Sequence, residues 1–365
     1  MPSPNKKKRK ALFGLLRDHF GRNLPFVLYK KPGAQHINAL LQSDKSLHTT
    51  LDFERPGFVM APFDRNEGDT PLVYLKPDAF CQCKYKPAKN PIQLKDPIRN
   101  PVGREIHLEL VAEAKKSIEA ESLEKVVVSR RFSIPMTSDL LNTAHGMMQS
   151  YPTAFTYLFH HPGVGTWMGA TPELLLESYD GLGQTLSLAG TRGTDPTLKT
   201  YEWTSKELHE QRVVTDFIAD QMRTLELEPQ IGPLTNTQAG KLWHLGTTIQ
   251  ASLPLTKAGA LLNALHPTPA VCGFPRDMAR CFIKENENYN REYYTGYLGE
   301  IGMEQPGGFT VYVNLRCVQI RNGRAHIYVG GGITADSDPQ AEWEETQEKS
   351  TTVLSLLENS WKPIG

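Results

Sequence analysis

The sequence has little of what would place the protein outside a reducing, aqueous setting. Only 5 of its 365 residues are Cys. That odd number, with no paired spacing, argues against a disulfide framework. Cys81 and Cys83 form a CxC pair without a second paired set, while Cys272, Cys281 and Cys317 are scattered at apolar positions, so small buried or surface thiols are expected rather than zinc ligands. Charge of one sign is not in excess. Lys+Arg number 40 and Asp+Glu 40, a formal net charge of +0, which argues against a nucleic-acid partner that would want a basic surplus. No run approaches the ~18 consecutive apolar residues of a membrane span. The basic run at residues 6–10 is followed by a short apolar stretch that Arg17 and Asp18 interrupt, so a secretory signal is not expected. The run could target the nucleus or bind anions, but the simpler reading is a solvated tail before a short helix. Internal repeats and low-complexity tracts are missing too. These absences lead to the expectation of a cytoplasmic protein with neither nucleic acid nor membrane as partner; the chain is taken to be a monomer.

The length allows two or three average domains or one large one with a sizeable core. Up to about residue 100 the chain is rich in Pro and Lys, with strand-like pieces at 58–61 and 72–75, and the proline-bearing segment 84–101 is predicted to be an exposed connection. Beyond it, Ile106, Leu110, Val111, Ala114 and Ile118 recur at helical spacing, and the β-branched run at 125–129 predicts a strand. Further strands are predicted at 154–159, 173–177, 185–188, 309–320 and 325–329, and long helices at 200–227 and 339–357. Gly turns at Asn322-Gly323 and at 181–183 join strands in hairpin fashion. Together these signals predict an α+β architecture with largely antiparallel sheets.

Both long helices carry acids in line with their apolar stripe. On a 3.6-residue period Glu207, Glu210, Val214, Phe217, Ile218 and Leu225 share one face, and so do Glu342, Glu345, Lys349, Val353 and Leu356. Acids near a helix N-terminus have an ordinary role against the macrodipole. The same arrangement occurs twice, however, and uncompensated buried carboxylates are too costly to persist. A shared cation resolves the conflict, and hard oxygen ligands without a His or Cys cluster favour Mg²⁺. Other candidates are weaker alone. Gly330, Gly331 and Gly332 end a strand and could offer backbone N–H groups to an anion, although a hairpin turn explains them better; His244 between apolar neighbours suits a core histidine; Lys125 at the head of a strand would ordinarily be solvated.

Taken in order, Lys125-Val126-Val127-Val128-Ser129-Arg130, Gly169-Ala170-Thr171-Pro172-Glu173-Leu174-Leu175, Leu188-Ala189-Gly190-Thr191, Lys206-Glu207-Leu208-His209-Glu210, Leu242-Trp243-His244-Leu245, the segment from His266 through Ala270 to Pro275, Arg291-Glu292-Tyr293-Tyr294-Thr295-Gly296, Gly330-Gly331-Gly332-Ile333 and Glu342-Trp343-Glu344-Glu345-Thr346 resemble the chorismate-utilising enzymes. The match runs from about residue 103 to the end. The resemblance implies one large α+β domain over 1–365, with 1–100 a divergent N-terminal part and 101–365 the core that carries the motifs. It implies two packed, largely antiparallel sheets with helices outside and a Mg²⁺-dependent site between them. By the same resemblance Glu210 and Glu345 would bind Mg²⁺ directly, and Glu207 and Glu342 through metal-bound water. Tyr294, Arg316, Lys349 and the backbone at Gly330 and Gly332 would hold substrate carboxylates, with Gly190, Thr191, His244 and Ala270 along the ring.

Within the family the chain is most similar to the branch that converts chorismate to isochorismate. Lys125 matches the general base that activates water and Glu173 the general acid that expels a hydroxyl. The first role requires a lowered lysine pKa, expected from desolvation and nearby cations, and the second a carboxyl kept protonated by a less polar or carboxylate-rich surrounding. Lys125 disfavours the ammonia-using relatives, and Ala189 those with a nucleophilic lysine at that position. Ala270 favours stopping at isochorismate over eliminating pyruvate to give salicylate. Retention of Lys125, Glu173 and the four acids speaks against a silent binding protein. Gln211 stands where the family often has His, and Val329-Gly330-Gly331-Gly332 where it has alternating Ala and Gly.

Overall fold

The computed structural model describes residues 3–65, 69–88, 100–193, 202–239 and 242–357. The first part of the chain forms β1 (Asn5–Lys6), α1 (Arg9–Gly21), β2 (Phe26–Lys30), β3 (His36–Leu41), β4 (Gly57–Ala61), β5 (Val73–Leu75), β6 (Ala79–Lys84) and α2 (Arg104–Glu119). Then come β7 (Lys125–Pro135), α3 (Leu140–Ser150), β8 (Phe155–His161), β9 (Gly165–Thr171), β10 (Leu174–Tyr179), β11 (Leu182–Gly193), α4 (Ser205–Thr224), β12 (Gln230–Ala239) and β13 (Leu242–Ser252). The last part forms α5 (Leu255–Leu265), β14 (Gly273–Phe274), α6 (Arg276–Asn286), β15 (Tyr297–Ile301), β16 (Phe309–Val313), β17 (Cys317–Arg321), β18 (Arg324–Ile333) and α7 (Pro339–Leu357).

The strands make two sheets. One has ten strands in the order β1-β6-β3-β2-β8-β9-β17-β18-β7-β14, the other eight in the order β12-β13-β11-β10-β16-β15-β4-β5. Among the described residues every pairing is antiparallel except that of β1 with β6. Side-chain alternation explains the layering. In β2, Phe26 and Leu28 join a core with α1, α3 and α7, whereas Val27 and Tyr29 join the core between the sheets. Both faces are covered, so the strand is apolar from Phe26 to Tyr29 instead of alternating. The inter-sheet core is aromatic, with Phe155 of one sheet stacked on Tyr312 of the other at 4.5 Å between ring centroids. Helices α4 and α5 cover the outer face of the eight-stranded sheet, and α2 and α6 pack beside β7. The result is a layered α+β sandwich of two sheets with helices outside.

Several expectations change. The first hundred residues supply β1, β2, β3 and β6 to one sheet and β4 and β5 to the other, so they are built into both. The basic run is exposed or half-exposed and leads into α1 as expected, but it is no loose tail, because Lys6 pairs with Gln82. Of the segment 84–101, residues 89–99 lie outside the described ones. The strand expected at 309–320 is two strands in different sheets, β16 and β17. The chain crosses between them at residues 314–316, where buried Asn314 accepts from Tyr157 Oη at 2.6 Å and donates to the Tyr293 carbonyl at 2.8 Å. No Gly or Pro punctuates Asn314-Leu315-Arg316, so two halves that each satisfy the strand pattern read as one strand. Gly330, Gly331 and Gly332 do not form a turn either. They lie within β18, opposite Ser129, Val128 and Val127 of β7.

Candidate active site

Where β7, β18 and the crossing at residues 314–316 approach α4 and α7, a cavity of about 190 Å³ opens. Its lining includes Lys125, Glu173, Glu207, Glu210, His244, Ala270, Tyr294, Arg316, Gly330, Gly331, Gly332, Glu342, Glu345 and Lys349. These residues come from positions up to 224 apart in the chain and were singled out from sequence one by one. Gly190 and Thr191 lie on β11, their side chains outside the described part. Sequence reasoning missed Val127, Pro172, Leu188, Val271, Thr295, Leu315 and Tyr328 in the lining. Each looks like ordinary core, and only the assembled fold turns it toward the cavity.

Lys125 begins β7 and is 2% exposed. Its Nζ donates to Glu210 Oε1 at 2.6 Å. The desolvation expected around it is present, but the contact partner is a carboxylate in place of a neighbouring cation. Glycine 332 makes this contact possible, since a Cβ there would stand 2.9 Å from Lys125 Cε and 3.0 Å from Glu210 Oε1. Glu173 sits just before β10, its backbone carbonyl accepting from Val313 N–H at 2.9 Å. Burial pushes its carboxyl up to about 7, against the opposing pull of Lys125, Lys349 and Arg316. The carboxylate-rich surrounding considered for it is absent from this balance; withdrawal from water alone raises it.

Cationic and neutral donors gather beside it. Arg316 adopts a left-handed backbone with φ 47°, and Thr295 with φ 58°, conformations rare for residues with a side chain and most of all for a β-branched one. Both strained residues border the cavity, where local strain is commonly retained for geometry. Burial pulls the Arg316 guanidinium below its ordinary value, with Tyr151 and Glu173 opposing. Burial likewise raises the Tyr294 phenol, which keeps it neutral and able to donate. Lys349 Nζ lies 2.6 Å from Glu345 Oε1 and donates to the Gly330 carbonyl at 3.0 Å.

The four acids of α4 and α7 line this one cavity, and all their donor atoms are oxygens suited to Mg²⁺. Each also has a local partner. Glu207 accepts from the Thr204 backbone N–H at 2.7 Å in a capping box, the ordinary helix-terminal role. Glu210 pairs with Lys125, Glu345 with Lys349, and Glu342, only 4% exposed, accepts from Ser337 Oγ at 2.6 Å. The lack of a side chain at Gly331 lets α7 approach, as a Cβ there would stand 3.1 Å from Glu342 Oε2 and 4.0 Å from Glu345 Oε1. Among the described residues no three His, Cys, Asp or Glu groups already stand close enough to chelate a metal. The donor type suits a hard divalent cation, but the arrangement is not a formed chelate, because Glu210 and Glu345 are turned to lysines. All five cysteines are free thiols, and only Cys281 is exposed. No described helix is long and apolar enough to cross a membrane.

A family model for chorismate-binding enzymes matches residues 78–358. The chain belongs to this family. Isochorismate synthase MenF of Escherichia coli (strain K12) is 30% identical over 261 residues, covering 68% of this chain and 59% of that protein. Isochorismate synthase DhbC of Bacillus subtilis (strain 168) is 37% identical over 205 residues, 53% of this chain and 50% of that one. The chain thus spans between half and two thirds of the length of these relatives. A solved putative 2,3-dihydroxybenzoate-specific isochorismate synthase, DhbC from Bacillus anthracis, superposes with a TM-score of 0.77 over 94% of this chain and 99% of that one, at 23% identity. That likeness shows a shared fold.

Proposed function

We propose that the protein converts chorismate to isochorismate, with Lys125 as general base and Glu173 as general acid. One observation carries the reading: a buried lysine and a half-buried carboxyl that desolvation keeps protonatable line one small cavity that also holds Arg316, Lys349 and Tyr294. The reaction exchanges a hydroxyl at C4 for one at C2. Water attacks C2 as the ring double bonds shift and the C4 hydroxyl departs. Lys125, in its neutral form, takes a proton from the attacking water; Glu173 gives one to the departing hydroxyl, which leaves as water. One water enters and one leaves, and a proton must pass from Lys125 back to Glu173 before the next turnover. A carboxyl near pH 7 in its titration can donate at neutral pH, as an unperturbed one could not.

Arg316 offers a planar fork suited to a carboxylate, and Lys349 and Tyr294 add a point charge and a neutral donor. The names of the relatives, isochorismate synthases in both sequence comparisons, support the same substrate. Glu210 and Glu345, assisted by Glu207 and Glu342, would hold Mg²⁺, which would neutralise a substrate carboxylate and restrain the ring. Purified protein incubated with chorismate, with and without Mg²⁺, tests the proposal by chromatography of the products. Isochorismate formed only with Mg²⁺ is the expected outcome. Neither isochorismate nor salicylate under both conditions would sink the reading, and release of pyruvate would identify a salicylate-forming enzyme instead.

A further inference from the structure

Beneath the cavity floor lies a buried ion pair that the reaction does not use. Arg291 and Glu287 have side chains only 2% and 1% exposed and approach to 2.5 Å. A buried pair is costly to break because a charge is left uncompensated, yet desolvation can cancel its attraction, so its presence alone shows little. What distinguishes this pair is where its remaining hydrogen bonds go.

All five guanidinium N–H groups of Arg291 are engaged. Nε donates to Glu287 Oε2 at 2.8 Å and Nη2 to Glu287 Oε1 at 2.5 Å. The second Nη2 proton goes to the Val127 carbonyl at 2.7 Å, and Nη1 serves the Val271 carbonyl at 3.0 Å and Thr295 Oγ1 at 3.2 Å. Val127, Val271 and Thr295 all line the cavity and belong to three separate stretches of chain. Glu287 completes the brace. Its Oε1 accepts from the Ser129 backbone N–H at 2.7 Å and from Ser129 Oγ at 2.8 Å, on the strand that begins with Lys125.

We propose that Arg291, held by Glu287, is the positioning residue that sets the β7 strand of Lys125 against the Val271 loop and the Tyr294–Thr295 turn. It touches no reacting atom. The role rests on the reaction proposed above, and it depends on the fork shape: a lysine offers three donors from one point and cannot span three wall segments. A displacement of about 1 Å at a reacting group lowers turnover on the order of 100-fold.

The test uses the full chain carrying Arg291→Lys, with Glu287→Gln as the variant that keeps the shape should the first fail to fold. Two readouts are needed: turnover of chorismate with its KM-against-kcat split, and amide hydrogen exchange at residues 127–129, 271–272 and 294–296. Positioning gives a kcat lower by about 100-fold in Arg291→Lys with a smaller change in KM, faster exchange at all three segments, and unchanged exchange in the eight-stranded sheet away from them. In Glu287→Gln, which retains the guanidinium's carbonyl contacts, the same changes are expected in weaker form. Unchanged exchange at the three segments overturns the proposal whatever happens to turnover. Faster exchange with near-normal kcat overturns it as well, leaving a purely structural pair. Failure of the wild-type protein to form isochorismate would overturn the reaction instead, and the exchange result would still decide whether Arg291 holds the three segments together.

Discussion

Lys125 and Glu173 occupy two walls of one cavity and share its withdrawal from water, yet the protein treats them in opposite ways. Lys125 is given a carboxylate at 2.6 Å, whereas burial drives Glu173 up to about 7 while three cations nearby only restrain the shift. Desolvation penalises whichever form is charged. The lysine is buried against a carboxylate, whereas the carboxyl meets the penalty by holding its proton. The contrast teaches how one cavity keeps a proton acceptor and a proton donor side by side: the donor needs only burial, and the acceptor must be released from a partner before it can work.

Removing either group should break the comparison most severely. Lys125→Ala is expected to lower turnover of chorismate by about 10²- to 10⁴-fold, and Glu173→Gln by a similar factor, with KM far less affected. Near-normal conversion in either variant would remove that residue from the mechanism. Next in size, Glu210→Ala and Glu345→Ala should each abolish the Mg²⁺-dependent part of turnover, about 100-fold or more; a Mg²⁺ titration unchanged from wild type would refute the assignment. Gly332→Ala sharpens the contrast more gently. Its Cβ would press first on the Lys125–Glu210 pair, so turnover should fall roughly tenfold while stability changes by less than about 1 kcal/mol, the neighbours being flexible side-chain ends. A large loss of stability would place the glycine's role in the fold.

The smallest effect concerns pH. A carboxyl raised from 4.5 to about 7 on folding binds its proton more tightly in the folded state. The associated stability is fully present below pH 4.5 and is lost as pH rises through about 7. Unfolding curves between pH 5 and 8 should therefore show wild type losing stability relative to Glu173→Gln, and parallel curves would contradict the upward shift of Glu173. Turnover should follow the same group, declining as pH rises through about 7 because the acid is then deprotonated.

How much of this was legible in the sequence depended on whether the signal was local. The acid-bearing faces of α4 and α7 follow from a 3.6-residue period, so Glu207, Glu210, Glu342 and Glu345 could be named before any fold was known, whereas the β-branched run gave β7 but only the family resemblance singled out Lys125 at its head. Their gathering into one cavity could be anticipated only through the family resemblance. The crossing at Arg316 was invisible because β16 and β17 continue one pattern while belonging to different sheets. The glycines of β18 suggested a turn when their role is close approach: without side chains they admit Glu210 and Glu342 to the strand. The Arg291–Glu287 brace left the weakest trace, since an i, i+4 pair of opposite charges usually marks a solvated helix face. The first hundred residues carried no motif, because pairing of β2 with β8 and of β4 with β15 is non-local and leaves only apolar runs behind.

Turnover of chorismate in ¹⁸O-labelled water tests the central claim most directly, because the account has water entering at C2 beside Lys125 and the original hydroxyl leaving at C4 beside Glu173. The expected product is isochorismate carrying one ¹⁸O, in its C2 hydroxyl, with the departed oxygen unlabelled. Isochorismate free of label, or no isochorismate at all, would contradict the account.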